Sequence, residues 1–516
     1  MSLLNHQMEI LNSILTWLMK KRMSQIEFFI NNPHQVQGEQ FNNLIGTAQH
    51  TEWGKKYGYN SIYTHREFTE RVPVSAYEDL FPYIDRLMKG EQNLLWPSEI
   101  KWFAKSSGTT NARSKFIPVS NEALEECHFK GGKDLMSIFV SNNPDTRVFT
   151  GKGLSIGGSY QPSLDKQDFY SGDVSAVVMK NLPIWAQFIR TPSLDIALMD
   201  KWEEKIERMA RATMEENVTS ILGVPTWTIV LIQRILEITG KSNILEVWPN
   251  LEVFAHGAVA FTPYRELFTK TLIPSSSMQY MEIYNASEGF FGLQDQKGTA
   301  DMLLMLDYGV FYEFIPIEEL DNEFPRALTL DQVELNKNYA IIISTNAGLW
   351  RYKIGDTVKF TSLAPYRIKI TGRTKHFINA FGEEVVIENA ETAIAKACGE
   401  TGAIIRNFTA APIYMEAAGK GGHEWIVEFI TSPADLMCFK EVLDRTLREI
   451  NSDYDAKRYK DLALQMPVVH SVPEGTFHNW LKKHNKLGGQ HKVPRLSNSR
   501  DLLEDILSSI SLENQL

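Results

Sequence analysis

The sequence predicts an α/β protein with a large N-terminal domain of β-sheets flanked by helices and a smaller α+β C-terminal domain. Between about residues 145 and 360, short β-rich runs alternate with helical ones, a pattern typical of α/β proteins. After Gly372 the pattern changes to a smaller set of helices and strands. Hydrophobic residues make up 43% of the 516, enough for a large core. We therefore expect domains at 1–373 and 374–516.

The first hundred residues are predicted to be helical. In the opening segment apolar residues recur at helical spacing, at Leu11, Ile14, Leu15 and Leu18. Polar residues interrupt that segment at His6, Gln7, Glu9 and Asn12. This pattern is typical of an amphipathic helix, and not of a signal peptide or a membrane span. Pro73 and Pro82 are expected to separate the short helices that follow.

The remaining elements follow from local periodicity and turn residues. Strands are predicted at residues 101–104, 147–150, 251–254, 279–284, 339–344 and 424–430. Helices are predicted at residues 201–217, 227–238, 388–397 and 436–450. Gly240 supplies the C-cap signal for the second of these helices, since glycine readily adopts the left-handed conformation found there. The strand at 339–344 is apolar enough to be buried on both faces.

Charge and cysteine content narrow the class of protein. The formal net charge is −10 and the isoelectric point is about 5.7, whereas a nucleic-acid-binding surface needs clustered basic residues. Cys127, Cys398 and Cys438 are far apart and have no metal-binding spacing, so each is expected to be a buried thiol. We expect a cytoplasmic protein that binds neither nucleic acid nor a membrane.

The strongest local motif lies between residues 104 and 118. Small and hydroxyl residues follow a predicted strand, at Ser106, Ser107, Gly108, Thr109 and Thr110. Arg113 and Lys115 come just after them. Backbone amides of such a loop can converge on phosphate oxygens while the cations balance their charge. It is not a Walker loop, because the required second glycine and the Ser or Thr after lysine are missing. A flexible surface turn is the alternative interpretation.

Three further motifs carry candidate residues for phosphate chemistry. Glu288 follows a predicted strand beside small residues, where a glutamate can hold Mg²⁺; a solvated turn glutamate is the alternative. Asp356 follows Gly355, and such a carboxylate can accept bonds from ribose hydroxyls or serve a structural turn. Lys492 follows two glycines near the C-terminus and suits a developing phosphate charge, unless it is an ordinary surface lysine. The glycine-rich stretch 151–158 fails the dinucleotide-binding spacing because position 156 is Ile156.

The order of these motifs resembles the acyl-acid amido synthetases of the Gretchen Hagen family, an auxin-responsive branch of the adenylate-forming superfamily. The resemblance is carried from end to end by FNNLI (41–45), TEWG (51–54), VPVSAYEDL (72–80), the motifs above and KVPR (492–495). It implies a large adenylate-forming N-terminal domain, containing β-sheets and a small β-barrel, and a mobile C-terminal domain. It also implies a monomer that uses ATP and Mg²⁺ to join a carboxylic acid to an amino acid.

The resemblance assigns roles to individual residues. It implies a phosphate loop at Ser106, Ser107, Gly108, Thr109 and Thr110, closed by Lys115. Adenine would be flanked by Gly257, Ala258 and the segment Tyr284, Asn285, Ala286 and Ser287, with the tyrosine stacked on the base. Glu288 would bind the metal, Asp356 the ribose, and Lys492 the reacting phosphate, with a hinge near Arg373 and Lys375. The acyl pocket would include Tyr160, Trp227 and His256, although a core role for either aromatic residue is an equal alternative.

Other enzymes share these adenylation parts, so alternatives stay open. A coenzyme A ligase would deliver the same acyl group to a thiol, and a non-catalytic homologue would bind ATP alone. Asn379 stands where many members of the wider superfamily carry lysine, and Asn111-Ala112 and Thr374 also depart from the pattern. The substitution at Asn379 favours direct amide formation. The acid and the amine are left unidentified by the sequence.

Overall fold

The structure is a computed structural model. It describes residues 2–106, 115–158, 160–161, 169–259, 261–320, 322, 325–373, 377–415, 420–458, 463–484 and 493–513. No helix within these ranges combines the length and the apolar character that crossing a bilayer requires.

The chain begins with helices, as predicted. They are α1 (Ser2–Asn31), α2 (Pro33–Ala48), α3 (Glu52–Tyr57), α4 (His65–Arg71) and α5 (Tyr77–Met88). The Thr51 hydroxyl accepts a hydrogen bond from the Gly54 amide at the start of α3. Thr64 and Glu67 form a capping box at the start of α4, which satisfies amides that have no partner within the helix. Pro82 does not separate helices, because α5 continues through it.

The central part of the chain forms strands and helices in alternation. The strands are β1 (Trp102–Ser106), β2 (Lys115–Val119), β3 (Lys152–Ser155), β4 (Tyr160–Gln161), β5 (Tyr170–Gly172), β6 (Arg190–Thr191), β7 (Val218–Gly223), β8 (Val253–His256), β9 (Gln279–Ala286), β10 (Gly289–Leu293), β11 (Met302–Leu304), β12 (Val310–Pro316), β13 (Asn338–Thr345), β14 (Tyr352–Leu363) and β15 (Tyr366–Arg373). The helices are α6 (Asn121–Ala123), α7 (Lys130–Asn142), α8 (Val174–Asn181), α9 (Ile184–Phe188), α10 (Leu194–Ala197), α11 (Trp202–Thr213) and α12 (Pro225–Thr239).

One large sheet combines parallel and antiparallel pairing. Within the described residues its strand order is β12-β13-β14-β15-β11-β10-β9-β8-β7-β3-β6. Strands β6, β3, β7, β8 and β9 are parallel neighbours. In the rest of the sheet, in the order β9-β10-β11-β15-β14-β13-β12, every neighbouring pair is antiparallel. The antiparallel strands are therefore continuous with the parallel ones. A second sheet has the order β2-β1-β5-β4.

The C-terminal part is a smaller α+β unit, as predicted. Its elements are β16 (Phe377–Ile378), β17 (Val385–Val386), α13 (Ile387–Thr401), β18 (Ile404–Ile413), β19 (Gly422–Thr431), α14 (Leu436–Ile450), α15 (Ser452–Arg458), β20 (Val468–Val472), α16 (Thr476–Lys483) and α17 (Asp501–Glu513). One apolar cluster contains Ile229 and Ile232 of α12 together with Phe408 and Trp425 of the C-terminal sheet. The unit therefore packs on the α12 side of the large sheet.

Two further sequence predictions differ from the structure. Residues Val148–Thr150 form a helical turn and not a strand. Val148 and Phe149 are buried there, and the Phe149 amide donates to Asn12 Oδ1 of α1 at 3.1 Å, so packing on a helix replaces pairing in a sheet. Cys438 is exposed and Cys398 is half-buried, so only Cys127 is a buried thiol.

A buried ion pair joins the helical segment to the sheet. Glu313 of β12 is fully buried, and Arg351 Nε lies 2.9 Å from its Oε2. Arg351 also donates to the carbonyl oxygen of Val72 at 2.6 Å, and His65 Nε2 lies 2.9 Å from Glu313 Oε1. Burial raises the pKa of the Glu313 carboxyl, but the charge of Arg351 and the hydrogen bonds from His65 and Arg351 outweigh burial and hold this pKa below its ordinary value.

Replacing Arg351 by methionine is expected to destabilise the protein by about 3–5 kcal/mol, because Glu313 would remain buried without its partner. Chemical denaturation of Arg351→Met measures this change. Arg66→Met is the matched control, since the pair of Arg66 with Glu70 is exposed and contributes about 0–1 kcal/mol. Equal losses of stability in the two variants would contradict the assignment.

Candidate active site

A cavity of about 1570 Å³ lies at the carboxyl ends of the parallel strands. The residue or loop that follows each of four neighbouring strands lines it: Gly157 and Gly158 after β3, Val224 after β7, Gly257 and Ala258 after β8, and Ser287 and Glu288 after β9. Ligands of open α/β sheets bind at this edge, where strand connections diverge. The parallel pairing ends at β9, so the cavity lies where strand direction changes.

Glu288 lies in the tight turn between β9 and β10. Ala286 pairs with Gly289, which leaves Ser287 and Glu288 as the two turn residues. Burial raises the pKa of the Glu288 carboxyl, and the Lys115 ammonium on β2 opposes that change. Burial in turn lowers the pKa of Lys115, and Glu288 partly restores it. The structure thus brings together two predicted residues from distant parts of the sequence.

Asp356 lies within β14 and not in a turn, which corrects the sequence interpretation. Gly355 before it has a φ of 98°, so the conformation expected of a Gly turn is accommodated inside the strand. Asp356 pairs in register with Arg373 of β15, and Arg373 Nε lies 2.8 Å from its Oδ1. Burial lowers the pKa of Arg373, but the negative charges of Glu384 and Asp356 outweigh burial, so the Arg373 pKa is raised.

Tyr284 has a polar contact that the resemblance did not imply. Its ring is buried, with 4% of the residue exposed, and its hydroxyl donates to Asp356 Oδ2 at 2.7 Å. Burial raises the Tyr284 pKa, and the Asp356 carboxylate raises it further, so the hydroxyl keeps its proton. Both oxygens of Asp356 are therefore engaged, one by Tyr284 and one by Arg373.

Gly257 and Ala258 form a close backbone approach after β8. A Cβ at Gly257 would lie 2.6 Å from the carbonyl oxygen of Ile283 on β9, so no side chain fits there. Ala258 has a φ of 70°, a left-handed conformation that costs a residue with a Cβ about 1–2 kcal/mol. Strained backbone of this type is concentrated at ligand sites.

His256 does not line the cavity, contrary to the expectation for the acyl pocket. Side chains alternate along β8, so Val253 and Ala255 line the cavity while His256 faces the opposite side of the sheet. There its ring stacks on Phe261, with centroids 4.0 Å apart. Burial lowers the His256 pKa to about 3, so the ring is neutral and packs on Phe261 of an apolar cluster.

Other predicted residues are partly described. Ser106, Asn285, Ala286 and Trp227 line the cavity. Tyr160 lies in β4, beside β5. Several predicted residues lie outside the described part of the chain, namely Ser107, Gly108, Thr109, Thr110, Lys375 and Lys492.

The sequence did not indicate several charged residues that line the cavity, among them Asp173, Lys205, Asp453 and Lys457. Lys205 Nζ donates to the carbonyl oxygens of Gly157 and Gly158 at 2.6 and 2.9 Å, and so holds the loop after β3. Burial lowers its pKa to about 8. Lys205 lies in an amphipathic helix and Lys457 in a polar run, so neither stood out from surface residues.

Gly257→Ala is expected to destabilise the protein by about 1–3 kcal/mol, because a Cβ would collide with backbone that cannot rotate away. Thermal unfolding followed by circular dichroism measures the change. Gly399→Ala is the control, since no atom lies within 4 Å of a Cβ at that position of α13 and alanine favours a helix by about 0.5–1 kcal/mol. A melting temperature unchanged in Gly257→Ala would show that β8 and β9 are not in close contact.

Comparison with known proteins identifies relatives of this chain. Models of the GH3 family match residues 22–278 (N-terminal domain), 303–373 (central domain) and 388–501 (C-terminal domain). The chain is 24% identical to indole-3-acetic acid-amido synthetase GH3.3 of Arabidopsis thaliana, over 94% of this chain and 93% of that protein. It is 23% identical to the 4-substituted benzoates-glutamate ligase GH3.12 of the same plant, over 93% and 96%.

Solved structures share the fold. The GH3.15 acyl acid amido synthetase in complex with 2,4-DB superposes with a TM-score of 0.61 at 17% identity, over 95% of this chain and 96% of that chain. A 2-hydroxyisobutyryl-CoA ligase in complex with 2-HIB-AMP and CoA gives 0.55 at 13% identity, over 93% of each. The family models together span most of the sequence, and the chain belongs to the GH3 family.

Proposed function

We propose that this protein is an acid–amino acid ligase that adenylates a carboxylic acid with ATP and transfers the acyl group to the amine of an amino acid. The observation that carries the proposal is the match over more than 90% of both chains to proteins named amido synthetases and ligases. The charged residues Lys115 on β2, Glu288 after β9 and Asp356 within β14 support it, because they line one cavity and acyl-adenylate formation needs a nucleotide and an acid together. Sparse cysteines suit the cytoplasm, where we propose it acts as a monomer.

In the first half-reaction an oxygen of the acid carboxylate attacks the α-phosphorus of ATP. The new bond joins carboxylate and phosphorus, the bond from phosphorus to the bridging oxygen breaks, and pyrophosphate leaves. Catalysis of this type depends mainly on positioning and charge stabilisation. The loop of Ser106, Ser107, Gly108, Thr109 and Thr110 would bind phosphate through its amides and hydroxyls. Lys115, which lines the cavity beside Glu288, and Lys492 would offset the negative charge.

Glu288 fits the magnesium site that this reaction requires. Within the described residues no cluster of three or more ligating side chains could hold a metal alone. A single carboxylate is sufficient where the substrate supplies phosphate oxygens, as Mg²⁺ commonly combines one or two carboxylates with phosphates and water. When bound, the metal would neutralise phosphate charge, and Glu288 would hold it at the β9–β10 turn.

Asp356 is the proposed ribose ligand, and its contacts define how it would act. Its oxygens already accept bonds from Tyr284 and Arg373, but each carboxylate oxygen has a second lone pair. Ribose hydroxyls can therefore donate to Asp356 without displacing either partner. Gly257 and Ala258 would flank the adenine, with Asn285, Ala286 and Ser287 at the neighbouring strand end.

In the second half-reaction the neutral amine attacks the acyl carbon. The carbon–nitrogen bond forms, the bond from that carbon to the AMP oxygen breaks, and the amine loses a proton as the amide forms. We propose that domain 374–516 moves relative to domain 1–373 about a hinge near Arg373, Thr374 and Lys375, which admits the amine. Hinge motions of this kind are absorbed by a few residues at domain boundaries.

The alternative function is thioester formation with coenzyme A. The fold shared with a CoA ligase favours keeping it as a second candidate, although Asn379 stands in place of the lysine common in the wider superfamily. A homologue that binds ATP without catalysis is the remaining alternative. The identity of the product separates the three.

Lys492→Ala is expected to slow pyrophosphate release by about 10²–10³-fold, because it removes one preorganised charge contact with the reacting phosphate. Release is measured with ATP, Mg²⁺ and a panel of carboxylic acids. Lys396→Ala is the matched control, since Lys396 forms an exposed pair with Glu449 away from the cavity. A Lys492→Ala variant that releases pyrophosphate at the wild-type rate would refute the role of this lysine.

A further inference from the structure

Two charged side chains of helix α15 form part of the cavity wall. Lys457 is buried, with 4% of the residue exposed, and lines the cavity. Its Nζ lies 4.6 Å from the centre of the Trp227 ring and 5.8 Å from that of Trp202, both of which also line the cavity. Asp453 is one helical turn earlier on α15 and lines the same cavity. The C-terminal unit thus places one positive and one negative group beside aromatic rings of the N-terminal part.

Neither charge is paired within the described residues. The Lys457 ammonium donates no hydrogen bond there, the Asp453 carboxylate accepts none, and the two do not form an ion pair with each other. Burial lowers the Lys457 pKa and raises the Asp453 pKa to about 6. Lys457 is buried and Asp453 is half-buried, and charges withdrawn from water without hydrogen-bond partners are costly, which makes both side chains candidates for contact with a ligand.

The tryptophans beside Lys457 add further hydrogen-bond donors to this part of the cavity wall. In the described part of the chain, the indole N–H groups of Trp202 and Trp227 are buried and have no acceptor. Lys205 differs from Lys457, because its ammonium already donates to the carbonyl oxygens of Gly157 and Gly158. Lys457 thus donates no hydrogen bond within the described residues, and an anionic ligand group beside it would be stabilised.

We propose that Lys457 and Asp453 form the subsite for the acceptor amino acid, with Lys457 binding the α-carboxylate and Asp453 the α-ammonium group. This inference rests on the proposed ligase function. Adjacent charges of opposite sign match a zwitterion, which the amino acid is and a simple carboxylic acid is not. The carboxylate of the acid is also accounted for elsewhere, since it must meet the α-phosphate near Lys115 and Glu288.

The proposed subsite combines residues from the N-terminal and C-terminal parts of the chain. Trp202 and Trp227 lie in the segment matched by the N-terminal family model, and Asp453 and Lys457 in that matched by the C-terminal one. Both halves must therefore meet before the amino acid is bound on all sides. Once its ammonium has lost a proton to solvent, the amine held by Asp453 attacks the acyl carbon of the adenylate. The carbon–nitrogen bond forms, the bond from that carbon to the AMP oxygen breaks, and the nitrogen loses a second proton to solvent as the amide forms.

The test separates the two half-reactions in the full-length protein. Lys457→Met and Asp453→Asn are compared with wild type and with Lys396→Met, the exposed control on α13. Pyrophosphate release without amino acid reports on the acid and ATP, and amide formation with each of the twenty standard amino acids reports on the acceptor. Each cavity variant is expected to raise the KM for the amino acid by roughly 10- to 100-fold, the loss of one charged hydrogen bond. The KM for the carboxylic acid should not change.

Two further readouts distinguish binding from a structural role. Wild type should prefer an amino acid over the amine that lacks its carboxylate, such as phenylalanine over phenethylamine, and Lys457→Met should lose that preference. The KM for the amino acid should rise in wild type as the pH falls through about 6, because Asp453 becomes protonated, and this rise should be absent from Asp453→Asn. The charged groups that act on Asp453 are Lys457, Asp173, Glu384 and Lys105.

Three results would overturn the subsite. A raised KM for the carboxylic acid with an unchanged KM for the amino acid would assign this wall to the acid. Unchanged constants in both variants would leave Lys457 and Asp453 without a role in either half-reaction. A wild-type protein that forms acyl-adenylate but no amide with any amino acid would refute the proposed function and the subsite together, and is recognised before any variant is made.

Discussion

The change from parallel to antiparallel pairing at β9 is the constraint on which the site depends. Parallel strands β3, β7, β8 and β9 all end at the same edge, so the loops that follow them converge there. The antiparallel return through β10 turns the chain back at Glu288, and β14 and β15 bring Asp356 and Arg373 to the same cavity. Residues nearly 270 positions apart along the chain, such as Ser106 and Arg373, therefore line one volume.

Electrostatic balance within the cavity is the second organising feature. Asp356 is held by hydrogen bonds from Arg373 and Tyr284 before any ligand binds, and the charge of Lys115 favours the ionised form of Glu288. Preorganised groups of this kind stabilise developing charge without a cost of reorganisation. Lys457 and Asp453 are different, because their charged side chains have no hydrogen-bond partner in the described residues. That contrast separates a site kept in place by the protein from one completed by a ligand.

Much of the fold could be predicted from local sequence patterns. Helix α14 covers the predicted residues, Gly240 ends α12 with a φ of 68°, and all of β13 after its first residue is buried. The strand predicted at 147–150 was wrong because its apolar residues are buried against helix α1, a contact between distant segments. Local composition shows that a residue is buried but not which element buries it.

The site was predictable where residues occur in motifs and not where they act singly. Lys115, Glu288 and Asp356 belong to ordered motifs, and all line the cavity. His256 was assigned to the wrong face of β8. Side chains alternate along a strand, but the sequence of one strand does not show which alternate set faces the cavity until its pairing is known. Lys457 reaches the cavity only through packing of α15 against the N-terminal part, which no local pattern encodes.

The central claim is that the cavity joins an acid to an amine through an acyl-adenylate, and mass analysis of the products tests it most directly. The protein would be incubated with ATP, Mg²⁺ and a panel of aromatic and aliphatic acids, with pooled amino acids in one series and coenzyme A in another. An amide and AMP in the amino acid series, with no thioester in the other, is the predicted result. Formation of a thioester without an amide, or of no acyl product although ATP is bound, would contradict the account.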